Sequence, residues 1–368
     1  MSSINSLQLR ADVPATNPFV REVHALTTLV SAASLKPARL LHLLEQRIDA
    51  LVNLCELSLA EVDAYEMLAL AQRGGNLADL AKGHCALAQV RTRKERYAQA
   101  MQSASDAEVA AQRCRRAAVR EPLLALALLR KASAAVRLEL PQAANDAERA
   151  AERFAALGDM ARQGQALRVQ AAASLAQADT VAHRALAEQA VALARQAGTA
   201  GDLCFALMTA YGNHPDLAQS ARWLQEAHRV ARDAGELLPQ AAAEHGLCLL
   251  YFRLGLYHRA LRLMQHSIVL REPGLTDAGR VNVFGFVAML SAICGDTVSA
   301  RDAMAIMLAA HEREPNARNL TLAPWFESAY LFWMDSDPHR ALQLIRRAAA
   351  RERGWSKSMM LRLLAKQE

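Results

Sequence analysis

A turn and a small residue return together along the last third of this chain. Gly255 precedes Ala260 by five residues, Gly295 precedes Ala300 and Ser336 precedes Ala341 by the same interval, and Met264, Met304 and Ile345 follow their alanines by four. The alanines lie about 40 residues apart, and a period of that size restricts a chain to stacked copies of one supersecondary unit. The unit itself is readable between Ala241 and Pro273. Leu247, Leu250, Tyr251 and Leu254, then Tyr257, Leu261, Met264 and Ile268, keep the three-and-four spacing of a buried helix face. Gly255 can close the first helix in a left-handed turn at no Cβ penalty, and Ala260 lets the second helix cross close to the first.

These residues carry a resemblance. The spacing resembles the tetratricopeptide repeat, whose pattern asks for an aromatic, Leu, a small residue and Tyr along the first helix, then Ala, a large apolar residue and Ala along the second. The unit from Leu322 supplies Trp325, Ala329, Phe332, Ala341, Ile345 and Ala348, and the unit from Ala241 supplies Leu247, Tyr251, Ala260 and Met264. Ser328 and Glu244 depart from it, standing where Leu and the aromatic are expected. The period near 40 exceeds the family's usual 34, as in the longer variant found in sensor arms of bacterial signalling regulators. The resemblance implies an all-α, right-handed α-solenoid of stacked antiparallel helix pairs.

Composition agrees with helices throughout. Apolar residues make up 52% of the 368 and aromatics 5%, with the excess in Ala and Leu, and no β-branched run bounded by turn residues occurs. The organisation expected is a disordered lead over 1–17, an N-terminal helical cap over 18–75, a repeat array over 76–350 with about seven pairs, and a basic capping helix over 351–368. The alanine anchors expected for the array fall near 100, 144, 182 to 185, 221, 260, 300 and 341. The lead lacks a signal-peptide core, the most apolar windows are short of the roughly 20 residues a membrane span needs, and the six cysteines sit singly in helical patterns. A cytoplasmic protein is the expectation.

No P-loop, dinucleotide fingerprint, nucleophile elbow or zinc-protease motif occurs, so neither catalysis nor a cofactor is expected. His245 and Cys248 share one helix face but have no second ligand pair, which argues for packing over a metal. By the family's register, the groove-facing places hold Asn213, His245, Arg253, Asn282, Met289, Phe326, Tyr330 and Trp333, with Phe326, Tyr330 and Trp333 as aromatic anchors or as rings packed on a neighbour. The Lys and Asn with which the chaperone-tail class of the family clamps a carboxylate are replaced here by His245 and Leu249, Gly285 and Met289, or Phe326 and Tyr330.

The net charge of +6 is matched by the excess of basic residues from Arg340 onward. Such an end can meet nucleic acid or an acidic protein, but it also answers helix macrodipoles, and the second reading is preferred. Arg91, Arg93, Lys94 and Arg96 form a further basic run. The expected function is therefore a non-catalytic scaffold that binds a protein or peptide in a concave groove, with nucleic acid disfavoured, no membrane partner, and self-association left open. The alternative is the sensor arm of a bacterial signalling protein, a transcription regulator or nucleotide cyclase, whose output domain is absent; the lack of an output-domain pattern before Glu368 counts against it.

Overall fold

A computed structural model describes residues 9–32, 35–197, 199–212, 214–314, 318–352 and 356–367. Among them every regular element is helical: α1 (Pro18–Val30), α2 (Pro37–Asn53), α3 (Leu57–Gly74), α4 (Leu77–Arg93), α5 (Tyr97–Gln112), α6 (Ala117–Arg137), α7 (Ala143–Ala156), α8 (Met160–Ala176), α9 (Thr180–Ala197), α10 (Ala200–Tyr211), α11 (Leu217–Ala234), α12 (Leu237–Arg253), α13 (Tyr257–Arg271), α14 (Asp277–Ile293), α15 (Thr297–Arg313), α16 (Asn319–Trp333), α17 (Pro338–Arg351) and α18 (Ser356–Gln367), with one 3₁₀ turn at Glu272–Gly274. None is long and apolar enough to cross a membrane. Of the lead expected over 1–17, residues 1–8 lie outside the described residues. Residues 9–17 turn toward α1, and the Arg10 amide donates to Glu56 Oε1 at 3.1 Å.

One turn is used again and again. A residue in the left-handed region follows most helices, and the next residue's amide donates to the carbonyl five residues back, the double closure that satisfies a helix C-terminus. Glycine takes that place at Gly75, Gly158, Gly235, Gly255 and Gly295. Elsewhere it falls to Cys55, Glu95, Glu139, Ala178 and Asp335. The closing bonds are nearly identical: Glu56 to Leu51 at 2.9 Å, Arg96 to Arg91 at 2.9 Å, Leu140 to Ala135 at 3.0 Å, Asp179 to Ser174 at 3.0 Å, and Leu256 to Tyr251 at 2.9 Å. Short acidic or amide side chains then start many of the following helices, as Asn76, Asp159, Asp216, Asp296 and Asp337 do by accepting from backbone amides.

This turn corrects three details of the expected register. Ser336 is not the turn residue: Asp335 takes the left-handed conformation, and one further residue intervenes before Asp337 caps α17. Five residues after Ala178 stands His183, not alanine, buried with Nδ1 2.9 Å from the Ala171 carbonyl oxygen. The pair α2–α3 also has the shared turn, with Cys55 left-handed and Ala60 fully buried, so the pattern is already present before residue 76.

The chain divides into two compact units, Met1–Ala243 and Glu244–Glu368, with the boundary inside α12. In the first, α2 packs on α4, α4 on α6, α6 on α8 and α8 on α10, while among the described residues no two second helices of successive pairs pack to a comparable extent. First helices closer together than second helices bend a stack toward the first-helix side. The bend is marked: Asn17 Nδ2 donates to the Gly235 carbonyl at 2.9 Å, joining the start of α1 to the end of α11. Buried alanine dominates this core, and Ala147, Ala150, Ala166, Ala187 and Ala190 are fully enclosed. A buried, two-bond ion pair joins α2 to α3, with Arg47 Nε and Nη2 donating to the Asp63 oxygens at 2.7 Å each. In the second unit α14 packs on α15 and α16, and α16 on α17, around a core of larger side chains that includes Met264, Phe286, Met304, Trp325 and Ile345.

Candidate binding surface

In the second unit the first helices α14 and α16 lie side by side because Gly285 has no side chain. A Cβ there would fall 2.1 Å from Phe326 Cδ2, so the Phe326 ring rests directly on the α14 backbone. Phe286, the next residue, meets Phe326 at 4.9 Å and Trp325 at 5.8 Å between ring centroids, and Trp325 stacks on Phe326 at 4.9 Å. From α12, His245 meets the same Phe286 edge-on at 5.9 Å and Phe252 meets it at 6.3 Å. A ladder of rings therefore crosses three first helices.

That ladder sorts the expected groove residues. Phe326 and Met289 are 0% and 2% exposed. They belong to the second unit's core and present no open surface, contrary to the expectation for both. Asn282 sits one turn before Phe286 and stays partly open, as does Tyr330 one turn after Phe326. Trp333, another turn on, is 39% exposed, with Phe332 against its edge and the Lys366 ammonium 5.6 Å from its ring. Arg253 is exposed at the end of α12. Asn213 lies outside the described residues.

His245 is the unusual member. It is partly buried, and its Nδ1 accepts from Arg271 Nη2 at 3.2 Å. Burial, then the charges of Arg271 and Arg318, push its pKa down to about 3, so the ring is neutral at pH 7 and its proton sits on Nε2. Cys248 beside it is buried and its thiol is pushed up to about 12, an inert core group. Among the described residues no group of three metal-ligating side chains occurs.

The first unit has a different inner surface. Arg93 from α4 and Arg168 from α8 both place their guanidinium carbons over the ring of Phe205 on α10, at 4.8 and 5.6 Å from its centroid. Since α4 and α10 are three pairs apart, these side chains meet across the inside of the bend. The basic run at 91–96 is dispersed by its helix end. Arg91 donates to Ser103 Oγ at 2.6 Å and Tyr65 Oη at 2.9 Å, Lys94 and Arg96 both pair with Glu61, and Arg93 alone of the four turns to the inner surface.

No family model matches the chain, and no curated protein matches it in sequence. Solved structures do resemble it. Rap protein complexed with Competence and Sporulation Factor aligns with a TM-score of 0.59 at 14% identity, over 89% of this chain and 97% of that one. A Signal Transduction ATPase with Numerous Domains that has a tetratricopeptide repeat sensor, from Pyrococcus horikoshii, aligns with a TM-score of 0.52 at 14% identity, over 95% of this chain and 54% of that one. The chain has a tetratricopeptide-like helical-repeat fold. Identities this low speak for the fold alone.

Within this tetratricopeptide-like fold, sequence reasoning missed two groups. Phe286 carries no groove signal of its own in the sequence, although it follows Gly285, the residue whose bareness sets the ladder. The Arg93, Arg168 and Phe205 meeting was out of reach, because it joins pairs in which Ala is so frequent that several registers fit.

Proposed function

We propose that the protein is a non-catalytic scaffold that binds a protein or peptide partner along the first helices of its second unit. One observation carries the reading: the Phe286–Phe326 contact sets two helical stripes side by side, Asn282–Phe286–Met289 and Phe326–Tyr330–Trp333, each running from a packed ring to a half-open polar or aromatic group. A rigid apolar floor with amphipathic rings at its edge suits the anchor residues of a docked segment. The resemblance to Rap protein, solved with Competence and Sporulation Factor, supports a binding role of this kind. Partner capture by the wild-type chain and by the doubly substituted Tyr330→Ala, Trp333→Ala chain tests it. Loss of the partner with an unchanged melting temperature is expected; undiminished capture moves the surface elsewhere.

A second reading, the sensor arm of a signalling protein, is favoured by the likeness to the archaeal ATPase, of which this chain spans about half. Sequencing the flanking reading frame tests it: an in-frame ATPase, cyclase or DNA-binding module supports the arm, and a stop codon on both sides removes it.

A further inference from the structure

The inner surface of the first unit gathers four guanidiniums against two nearby carboxylates, Asp49 and Asp202. Arg93 and Arg137 occupy the same place on successive first helices, two residues before the left-handed Glu95 and Glu139. Arg130 comes from α6 and Arg168 from α8, and each of Arg93, Arg130 and Arg168 is partly buried. None of these four guanidiniums has an ion pair among the described residues. Asp49 lies near Arg130, and Asp202 near Arg130 and Arg168, and each offsets part of their charge without an ion pair: Gln89 Nε2 donates to Asp49 Oδ1 at 2.9 Å, while Gln165 Nε2 and Thr199 Oγ1 donate to Asp202 at 2.9 and 2.6 Å. Arg130 has Gln89 Oε1 as its acceptor, and its buried Nε has no partner among the described residues. The mutual proximity of the guanidiniums is felt electrostatically. Burial, then Arg168, Arg130 and Arg137, lower the Arg93 pKa to about 10.

Such crowding costs stability, because charges withdrawn from water are normally paired. Stacking on Phe205 orients Arg93 and Arg168 without using up their N–H donors, since an aromatic face attracts a cation but accepts no in-plane hydrogen bond. What remains is a set of planar, fixed forks matched to oxyanions. Arg93 and Arg168 meet at one ring, with guanidinium carbons 4.8 and 5.6 Å from its centroid, and Arg130 adds a third fork from α6, the first helix between α4 and α8.

We propose that the inner surface of the first unit is a binding site for a ligand with two or more oxyanion groups, phosphate or carboxylate, held by Arg93, Arg130 and Arg168. The site is separate from the surface proposed on the second unit and does not depend on it. Two sources share this chemistry, a phosphate-bearing small molecule and an acidic peptide.

Calorimetric titration of the full chain with sodium tripolyphosphate, with a hexaglutamate peptide and with the matching hexaglutamine peptide tests the proposal. One saturable site for at least one anionic probe is expected, weakened by rising salt, with no binding of hexaglutamine. Tripolyphosphate alone points to a phosphate-bearing ligand, and hexaglutamate alone to an acidic peptide. Arg93→Gln and Arg168→Gln are each expected to weaken binding about tenfold, while the unliganded melting temperature stays level or rises as repulsion is relieved. Tyr330→Ala with Trp333→Ala leaves the anion affinity unchanged, so failure here and failure of the second-unit surface are distinguishable. The proposal is overturned if neither anion binds the wild-type chain. It is also overturned if the arginine variants bind as the wild type does, or if they melt several degrees lower while keeping the anion, which would make the cluster a packing device around Phe205.

Discussion

Gly285 and His245 show how single residues set the second unit's surface. Gly285→Ala puts a Cβ into the Phe326 ring, which is fully buried with Trp325 stacked on it at 4.9 Å. Overpacking of this sort costs about 1–3 kcal/mol, and urea unfolding should show it as a lower midpoint with the slope unchanged. His245 makes a pH-dependent contribution. Its folded pKa near 3 lies below the ordinary 6.5, so the unfolded chain binds the extra proton between those values and stability falls as pH drops below about 6.5. The loss attributable to this ring amounts to about 1.4 kcal/mol per pH unit, roughly 2 kcal/mol by pH 5. His245→Asn removes that slope, which paired denaturation curves at pH 7 and pH 5 would read; equal slopes in the two proteins would mean the ring is not held neutral by its surroundings. At this scale His245, Asn282, Tyr330 and Trp333 were legible as candidates, because a helix register assigns faces. Burial was not, because whether Phe326 is wall or floor depends on what Gly285 allows the neighbouring helix to do.

The turn that separates helices is common to both units, yet it was legible only where glycine takes the left-handed place. Gly255 and Gly295 advertise a left-handed residue, whereas Cys55, Glu95, Glu139 and Ala178 adopt the same backbone with side chains that announce nothing. Stacking overrides local preference at those four places, which together with the abundance of Ala hid the register of the middle pairs. The asymmetry is measurable. Ala178→Gly relieves a left-handed alanine and should raise stability by about 0.5–1 kcal/mol, while Gly255→Ala, where a Cβ would meet nothing within 4 Å, should lose about 1 kcal/mol from the backbone alone. If both substitutions prove neutral by thermal denaturation, these turns are not held left-handed. Between α2 and α3 the decisive contact is a charge pair. Arg47 and Asp63 are 1% and 6% exposed, and burial works to raise the Asp63 pKa while Arg47 opposes it. Arg47→Ala strands the carboxylate and is expected to cost about 3–5 kcal/mol in chemical unfolding; a loss under 1 kcal/mol would show that water reaches Asp63.

For the whole molecule, the repeat period was the most legible property. A hairpin of helices buries one face against its neighbour, so the pattern of small and apolar residues recurs wherever the hairpin does. The division at Ala243 and Glu244 was not legible, because it falls within a helix whose sequence is continuous. Nor was the charge inside the first unit, which depends on α4 and α10 meeting across a bend that no local pattern encodes. In each unit the first helices recognise and the second helices only support. Photo-crosslinking tests it most directly: a benzophenone side chain placed in turn at Asn282 and Tyr330 on first helices, and at Val298 and Ile306, exposed on the second helix α15. The captured partner should be crosslinked from Asn282 and Tyr330 and not from α15; crosslinks from Val298 or Ile306 alone would contradict the account.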